Sequence, residues 1–253
     1  MKSLLAGWVL PWVMAWPAQA APLPGLNTTL FVQHAESGRT LGVNAPDWDR
    51  ATIPASTFKI TNSLIGLETG VITPTTVFKW DGVQRWLPDW NQDHQLASAF
   101  KVSCVPCYQD LARKVGLKRM RHWIDTLAYP GMDIQAGNLD EFWLRGRSAI
   151  SPRQQVAFLT RLAQRQLPLS LATQDTVESI MAQEQTPQWQ LFAKTGWEQG
   201  AVHRGWYVGY VRNGQGTWVF ATRLEAPAPD EKIFGPLRKQ ITLDYLRAQG
   251  IIS

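Results

Sequence analysis

Cysteine is nearly absent from this chain: Cys104 and Cys107 are the only two in 253 residues. They form a C-x-x-C, but the pattern around them is not the βαβ unit in which redox-active pairs sit, which argues against a thioredoxin-like role. Histidine is almost as scarce. His34, His94, His122 and His203 show no paired spacing, so the four-ligand set of a zinc site is not visible and no metal is expected. A short disulfide and two packed thiols both stay open for the cysteines. Beyond the N-terminus no stretch is apolar enough to cross a bilayer, and a mean hydropathy of -0.20 agrees with a soluble body. Internal repeats and low-complexity linkers are also missing.

The N-terminus is different. Lys2 supplies a positive start, Leu4 to Trp16 is uncharged, and Ala18-Gln19-Ala20 gives the small-x-small pattern of a cleaved export signal. The apolar run is about thirteen residues, short of the roughly twenty that span a membrane, and Pro11 interrupts it. Cleavage after Ala20 would leave residues 21–253 as one large domain or two closely packed ones, exported to the periplasm. The pI is near 9.4, yet Lys and Arg are scattered. The densest group, Arg113-Lys114 to Arg121, reads as a solvated helix face rather than a nucleic-acid surface. Mild basicity suits anionic small molecules or the cell envelope.

Strand signals lie at both ends. Thr29–Gln33 and Thr40–Val43 flank Glu36-Ser37-Gly38-Arg39 as a hairpin. Trp206–Val211 and Gly216–Ala221 flank Asn213-Gly214, a strong turn signal, and Gln190–Thr195 reads as a strand before them. The middle reads as helices: one after Pro54 to about Gly70, then Cys107–Val115, Arg119–Leu127 and Pro152–Leu167. A last helix is expected from about Pro236, near its start, to Gln249, with Gly250 as its stop. These segments make an α+β fold, an antiparallel sheet from both chain ends with a helical region inserted. A cleft between two such regions is a natural small-molecule site.

Chemistry concentrates in Ser56-Thr57-Phe58-Lys59. On a helix, residues three apart share a face, so the Lys59 amine can reach the Ser56 hydroxyl and act as its base. Alone the pattern is weak, and an N-cap serine would look the same. Its weight comes from Ser103-Cys104-Val105 and Lys194-Thr195-Gly196 downstream.

With these motifs in order, the chain resembles the class D β-lactamases, the oxacillinase group of serine β-lactamases. Further matches are Phe78-Lys79-Trp80-Asp81-Gly82, Trp90-Asn91-Gln92-Asp93, Phe142-Trp143-Leu144 with Gly146, Gly205-Trp206-Tyr207-Val208-Gly209 and Pro236-Leu237-Arg238-Lys239. One position departs: the family usually carries an aromatic residue before Gly-Asn, and here the triplet is Ala136-Gly137-Asn138.

The resemblance implies the β-lactamase/penicillin-binding transpeptidase-like fold and hydrolysis of β-lactam antibiotics, with resistance as the result. It makes Ser56 the nucleophile and Lys59 the base, carboxylated by carbon dioxide to N6-carboxylysine, with no other cofactor. Ser103 would relay a proton to the leaving nitrogen, and Trp143 would donate its indole N–H to the carbamate. Lys194 would raise the positive potential at the nucleophile. Val105, Thr195, Gly196, Trp197 and Arg238 would bind substrate: the N–H of Ser56 and of Trp197 hold the oxyanion, and Arg238 takes the substrate carboxylate. Val105 would press on Lys59. Without the resemblance, a core aromatic is the alternative reading of Trp143 and a surface cation that of Arg238.

Two other readings compete. A penicillin-binding D,D-peptidase shares Ser-x-x-Lys and Lys-Thr-Gly, but usually in a longer chain with a different middle motif. A β-lactam sensor acylates and stays acylated, normally as the outer domain of a membrane receptor; no membrane-spanning segment is visible here.

Overall fold

Both chain ends carry β-branched and aromatic residues in alternation, and in the computed structural model, which describes residues 23–253, they meet in one sheet. The strands are β1 (Asn27–His34), β2 (Thr40–Val43), β3 (Ala182–Gln185), β4 (Trp189–Glu198), β5 (Val202–Asn213) and β6 (Gly216–Pro227). Their order is β2-β1-β6-β5-β4-β3, with every neighbouring pair antiparallel. Chain closure occurs where β1 pairs β6, from Asn27 opposite Glu225 to His34 opposite Trp218. The expected export signal, residues 1–20, lies outside the described residues.

Seven helices are described: α1 (Lys59–Glu68), α2 (Leu96–Lys101), α3 (Val105–Val115), α4 (Leu117–Thr126), α5 (Pro152–Ala163), α6 (Leu171–Met181) and α7 (Glu231–Ala248). Successive residues of a strand face opposite sides, and the sheet uses this to build two cores. Trp206, Val208 and Tyr210 of β5 join Phe58, Leu64, Tyr108, Trp143 and Leu159 on the helical side. Tyr207 and Val211 point the other way, into a cluster with Leu30, Phe220 and Leu246 under α7. With both faces covered, the central strands are buried almost throughout. No helix among the described residues is long and apolar enough to cross a membrane.

The fold class and both hairpins match expectation, while several helix ends do not. α7 begins five residues before Pro236, because Asp230 caps it, its carboxylate accepting from the Lys232 N–H at 2.9 Å. Pro236 therefore sits inside the helix, where it leaves the Lys232 carbonyl without its helical donor. Arg238 consequently lies in the third turn of α7, not at its start. α3 starts at Val105, two residues before the expected Cys107, and its N-cap is Cys104. α5 stops at Ala163, short of Leu167, with Arg165 turning out at φ 58. α2, α6 and β3 had no clear sequence signal.

Candidate active site

Pro54, after which the sequence predicts a helix, caps a tight 3-10 turn over Ala55–Phe58, and α1 continues directly from Lys59. In a 3-10 turn residues i and i+3 eclipse, which aligns Ser56 with Lys59 more closely than an α-helix would. Lys59 Nζ donates to Ser56 Oγ at 2.7 Å. Ala55 holds φ 50, a sparsely populated conformation for a residue with a Cβ.

The turn is anchored from three sides. Thr57 Oγ1 donates to the Pro54 carbonyl at 2.7 Å and accepts from Gln155 Nε2 of α5 at 2.8 Å. Trp206 Nε1 of β5 donates to the Ile53 carbonyl at 2.9 Å. From β4, Gly196 packs so closely that an added Cβ would stand 3.0 Å from the Pro54 carbonyl oxygen and from Thr57 Cγ2. Gly196→Ala is expected to destabilise the protein by about 1–3 kcal/mol through overpacking. A thermal melt checks this: Tm should fall by roughly 2–4 °C per kcal/mol, and an unchanged Tm would mean that the turn has slack.

Lys59 is fully buried, its Nζ 5.4 Å from the centroid of the Tyr108 ring. Burial, and then the charge of Lys194, hold its amine well below the ordinary lysine value. Its neutral form is thereby favoured, the state in which nitrogen can accept a proton. Phe58 carries the aromatic packing next to it: Trp143 stacks on it at 5.5 Å, and Phe142 and Tyr129 meet it edge-on at 4.9 and 5.7 Å. Trp143 is fully buried, and its indole N–H has no hydrogen-bond acceptor. Leu144 packs on the same cluster.

Lys194 comes from β4 and crosses to the start of α3. Its Nζ donates to Ser103 Oγ at 3.0 Å and to the Thr195 carbonyl at 3.1 Å. Ser103 sits just before the helix in a left-handed turn, φ 55. Burial first, then the charge of Arg238, lower Lys194 to about 7. Thr195 is half-buried, and its Oγ1 accepts from Lys194 Nζ at 3.5 Å. Val105 opens α3 half-buried, two residues past Ser103.

Arg238 is buried, donating from Nε to the Gly235 carbonyl at 2.8 Å and from Nη1 to the Gly196 carbonyl. Burial lowers it to about 10, and its guanidinium lies 5.0 Å from the Trp197 ring centroid. Gly205 leaves room for it, since a Cβ there would stand 2.5 Å from Arg238 Cδ. Among the described residues no carboxylate pairs with Lys59, Lys194 or Arg238. A half-buried serine held by a buried lysine, a second buried lysine and a buried arginine thus form an electropositive region suited to an anionic substrate and acyl transfer.

Known proteins agree with this chemistry. Residues 43–246 match the penicillin binding protein transpeptidase domain. Beta-lactamase OXA-48 of Klebsiella pneumoniae is 40% identical over 206 residues, covering 81% of this chain and 76% of that protein. A class D β-lactamase from Nostoc superposes with a TM-score of 0.85 at 38% identity, covering 89% of this chain and 94% of the other. The chain belongs to the class D serine β-lactamases. A similar likeness extends to a probable β-lactamase of Bacillus subtilis, 35% identical over 89% of this chain and 82% of that protein.

For this β-lactamase the sequence motifs named the charged residues of the region, but not the side chains that support them. Gln155, Thr57 and Trp206 hold the nucleophile turn, and Tyr108 faces the lysine. Tyr108 OH in turn shares a 2.7 Å hydrogen bond with Ser63 Oγ of α1, and Asn62 donates to the Tyr108 carbonyl at 3.2 Å. Only the burial pattern of α1, apolar and polar alike, could have flagged Asn62 and Ser63. Ala136, where an aromatic was expected, is exposed in a 3-10 turn. The ring that reaches Phe58 from the same stretch is Tyr129.

Proposed function

We propose that this β-lactamase opens the lactam with Ser56 and clears the resulting ester with a water activated at a carboxylated Lys59. The observation that carries this is the buried Lys59 amine 2.7 Å from Ser56 Oγ, which burial holds well below the ordinary lysine value. A neutral buried amine is the form that combines with carbon dioxide, and the surroundings fit the product. An anionic group there would meet an indole N–H of Trp143 that has no acceptor, near Lys194 and with no competing carboxylate paired to either lysine. Once attached, the carbamate supplies an anionic general base. Trp143 then orients the group through its donor-only N–H. Ser103, held by Lys194, passes a proton to the departing nitrogen, and Lys194 and Arg238 draw in the substrate carboxylate. The N–H groups of Ser56 and Trp197 receive the oxyanion, with Val105, Thr195 and Gly196 lining the approach.

Carbon-13 NMR in labelled bicarbonate tests this reading. One carbamate resonance is expected from the wild type and none from Lys59→Ala; its absence from the wild type would overturn the reading.

The free-enzyme kcat/KM should carry an alkaline limb from Lys194. Above about pH 7 its folded-state proton is lost, and with it the charge that orients the substrate. Lys194→Arg, charged throughout, should move that limb up by at least about one pH unit while lowering the maximum. A pH profile measures both, and an unmoved limb would assign it to another group.

We also propose export: residues 1–20 act as the cleaved signal and residues 21–253 as the periplasmic enzyme. The N-terminal run from Lys2 to Ala20 supports it. N-terminal sequencing of the periplasmic protein should begin at Ala21.

A further inference from the structure

The C-x-x-C pair takes no part in the proposed hydrolysis, yet it lies in a built environment. Cys104 and Cys107 are joined in a disulfide across the first turn of α3. His94, ten residues before Cys104, is folded back onto them by its backbone pairing with Phe78 and by α2. A ring nitrogen of His94 and the two Sγ atoms all lie within 4.8 Å of one another, and all three residues are buried.

The hydrogen bonds around the cluster favour ligation. His94 Nε2 lies 2.8 Å from the Asp89 carbonyl oxygen, so Nε2 carries the proton and donates it. Nδ1 keeps its lone pair, facing the Ser98 hydroxyl at 3.1 Å, and that hydroxyl has the Gln95 carbonyl as a second acceptor at 3.0 Å. One ring N–H tied to a carbonyl, with the other nitrogen left basic, is how ligating histidines are oriented in metal centres. The Cys107 N–H donates to Cys104 Sγ at 3.2 Å, a bond that favours a thiolate, as does the start of a helix. A cavity of about 320 Å³ is lined by both cysteines with Gln92, Asp110, Arg85 and Arg113; neither Ser56 nor Lys59 lines it.

We propose that, once the disulfide is reduced, His94, Cys104 and Cys107 form a zinc-class cation site with its fourth position open to this cavity. Two sulfurs and one imidazole with an open position are a known zinc donor set. Reduction breaks the S–S bond with two electrons and two protons from a dithiol, which is itself oxidised to a disulfide. Binding of the divalent cation then displaces both thiol protons to solvent. The sequence offered no paired spacing for this set because the third ligand arrives through the fold.

The test is a titration of the full chain with cobalt(II), then zinc(II), in reduced and oxidised form, following thiolate-to-cobalt charge-transfer absorption. One equivalent of cobalt is expected to bind the reduced protein and to be displaced by zinc, while the oxidised protein binds none. His94→Asn in reduced form should weaken zinc binding by at least about tenfold. Absence of the charge-transfer band from the reduced wild type would overturn the proposal, as would equal binding by the oxidised protein. So would a His94→Asn protein that binds zinc as tightly as wild type. The oxidised–reduced comparison decides the matter even where the variant does not fold.

Discussion

Lys59→Ala is expected to lower kcat/KM for benzylpenicillin by about a thousandfold or more, within the range general-base removal usually gives. Ser56 Oγ receives its hydrogen bond from Lys59 Nζ, and removing the amine leaves the hydroxyl without a base in a region that has no carboxylate to replace it. Lys59→Arg should be as inactive, because a guanidinium stays charged and cannot take a proton. Stability should move the other way. Lysine in the unfolded chain keeps its ordinary pKa, whereas burial depresses the folded value. As pH falls from about 10 towards the folded value, the unfolded chain gains a proton that the folded protein refuses, and stability declines. Below the folded value the penalty is constant. Lys59→Met, in buffer free of carbon dioxide at pH 7, should therefore raise Tm by at least about 2 °C, given roughly 2–4 °C per kcal/mol for a chain of this size. An active Lys59→Arg enzyme, or a Tm that falls in Lys59→Met, would contradict the role given to burial.

The second large effect concerns Trp143. Trp143→Phe keeps an aromatic ring stacked on Phe58 but deletes an indole N–H that is buried without an acceptor beside the nucleophile turn. An unmade hydrogen bond in a native core is normally avoided, so its presence beside the nucleophile turn points to a partner that arrives during function. Loss of the donor should slow deacylation by about a hundredfold, as removal of one positioned donor does elsewhere. Acylation should fall much less, so pre-steady-state kinetics would show a burst that wild type lacks. Higher bicarbonate should restore part of the rate. Equal losses in both steps would instead mark Trp143 as a packing residue.

How far the sequence carried depends on the range of each interaction. Ser56–Lys59 is a local pair, readable because a single helical turn sets its geometry. Lys194-Thr195-Gly196 is legible because it lies on a strand whose neighbours are rich in aromatic and β-branched residues. The hairpin at Asn213-Gly214 announces itself through turn chemistry. Contacts that depend on the fold were not legible. Nothing in the chain places Gln155 on Thr57, Tyr108 over Lys59 or His94 against Cys104, since those pairs meet only after α5, α3 and α2 have packed. Pro236 misled for a different reason: a proline usually starts a helix, but the Asp230 cap outweighs it. α6 escaped notice because polar residues, Asp175 among them, interrupt its apolar ones, and its place is fixed by Glu178 accepting from Arg165, Tyr210 and Arg212.

Time-resolved intact mass of the mature enzyme with excess benzylpenicillin, in bicarbonate and in carbon-dioxide-depleted buffer, tests the central claim most directly. The account predicts a penicilloyl adduct on Ser56 that appears and clears within minutes in bicarbonate, and that persists when carbon dioxide is removed. Clearance at the same rate in both buffers would contradict it.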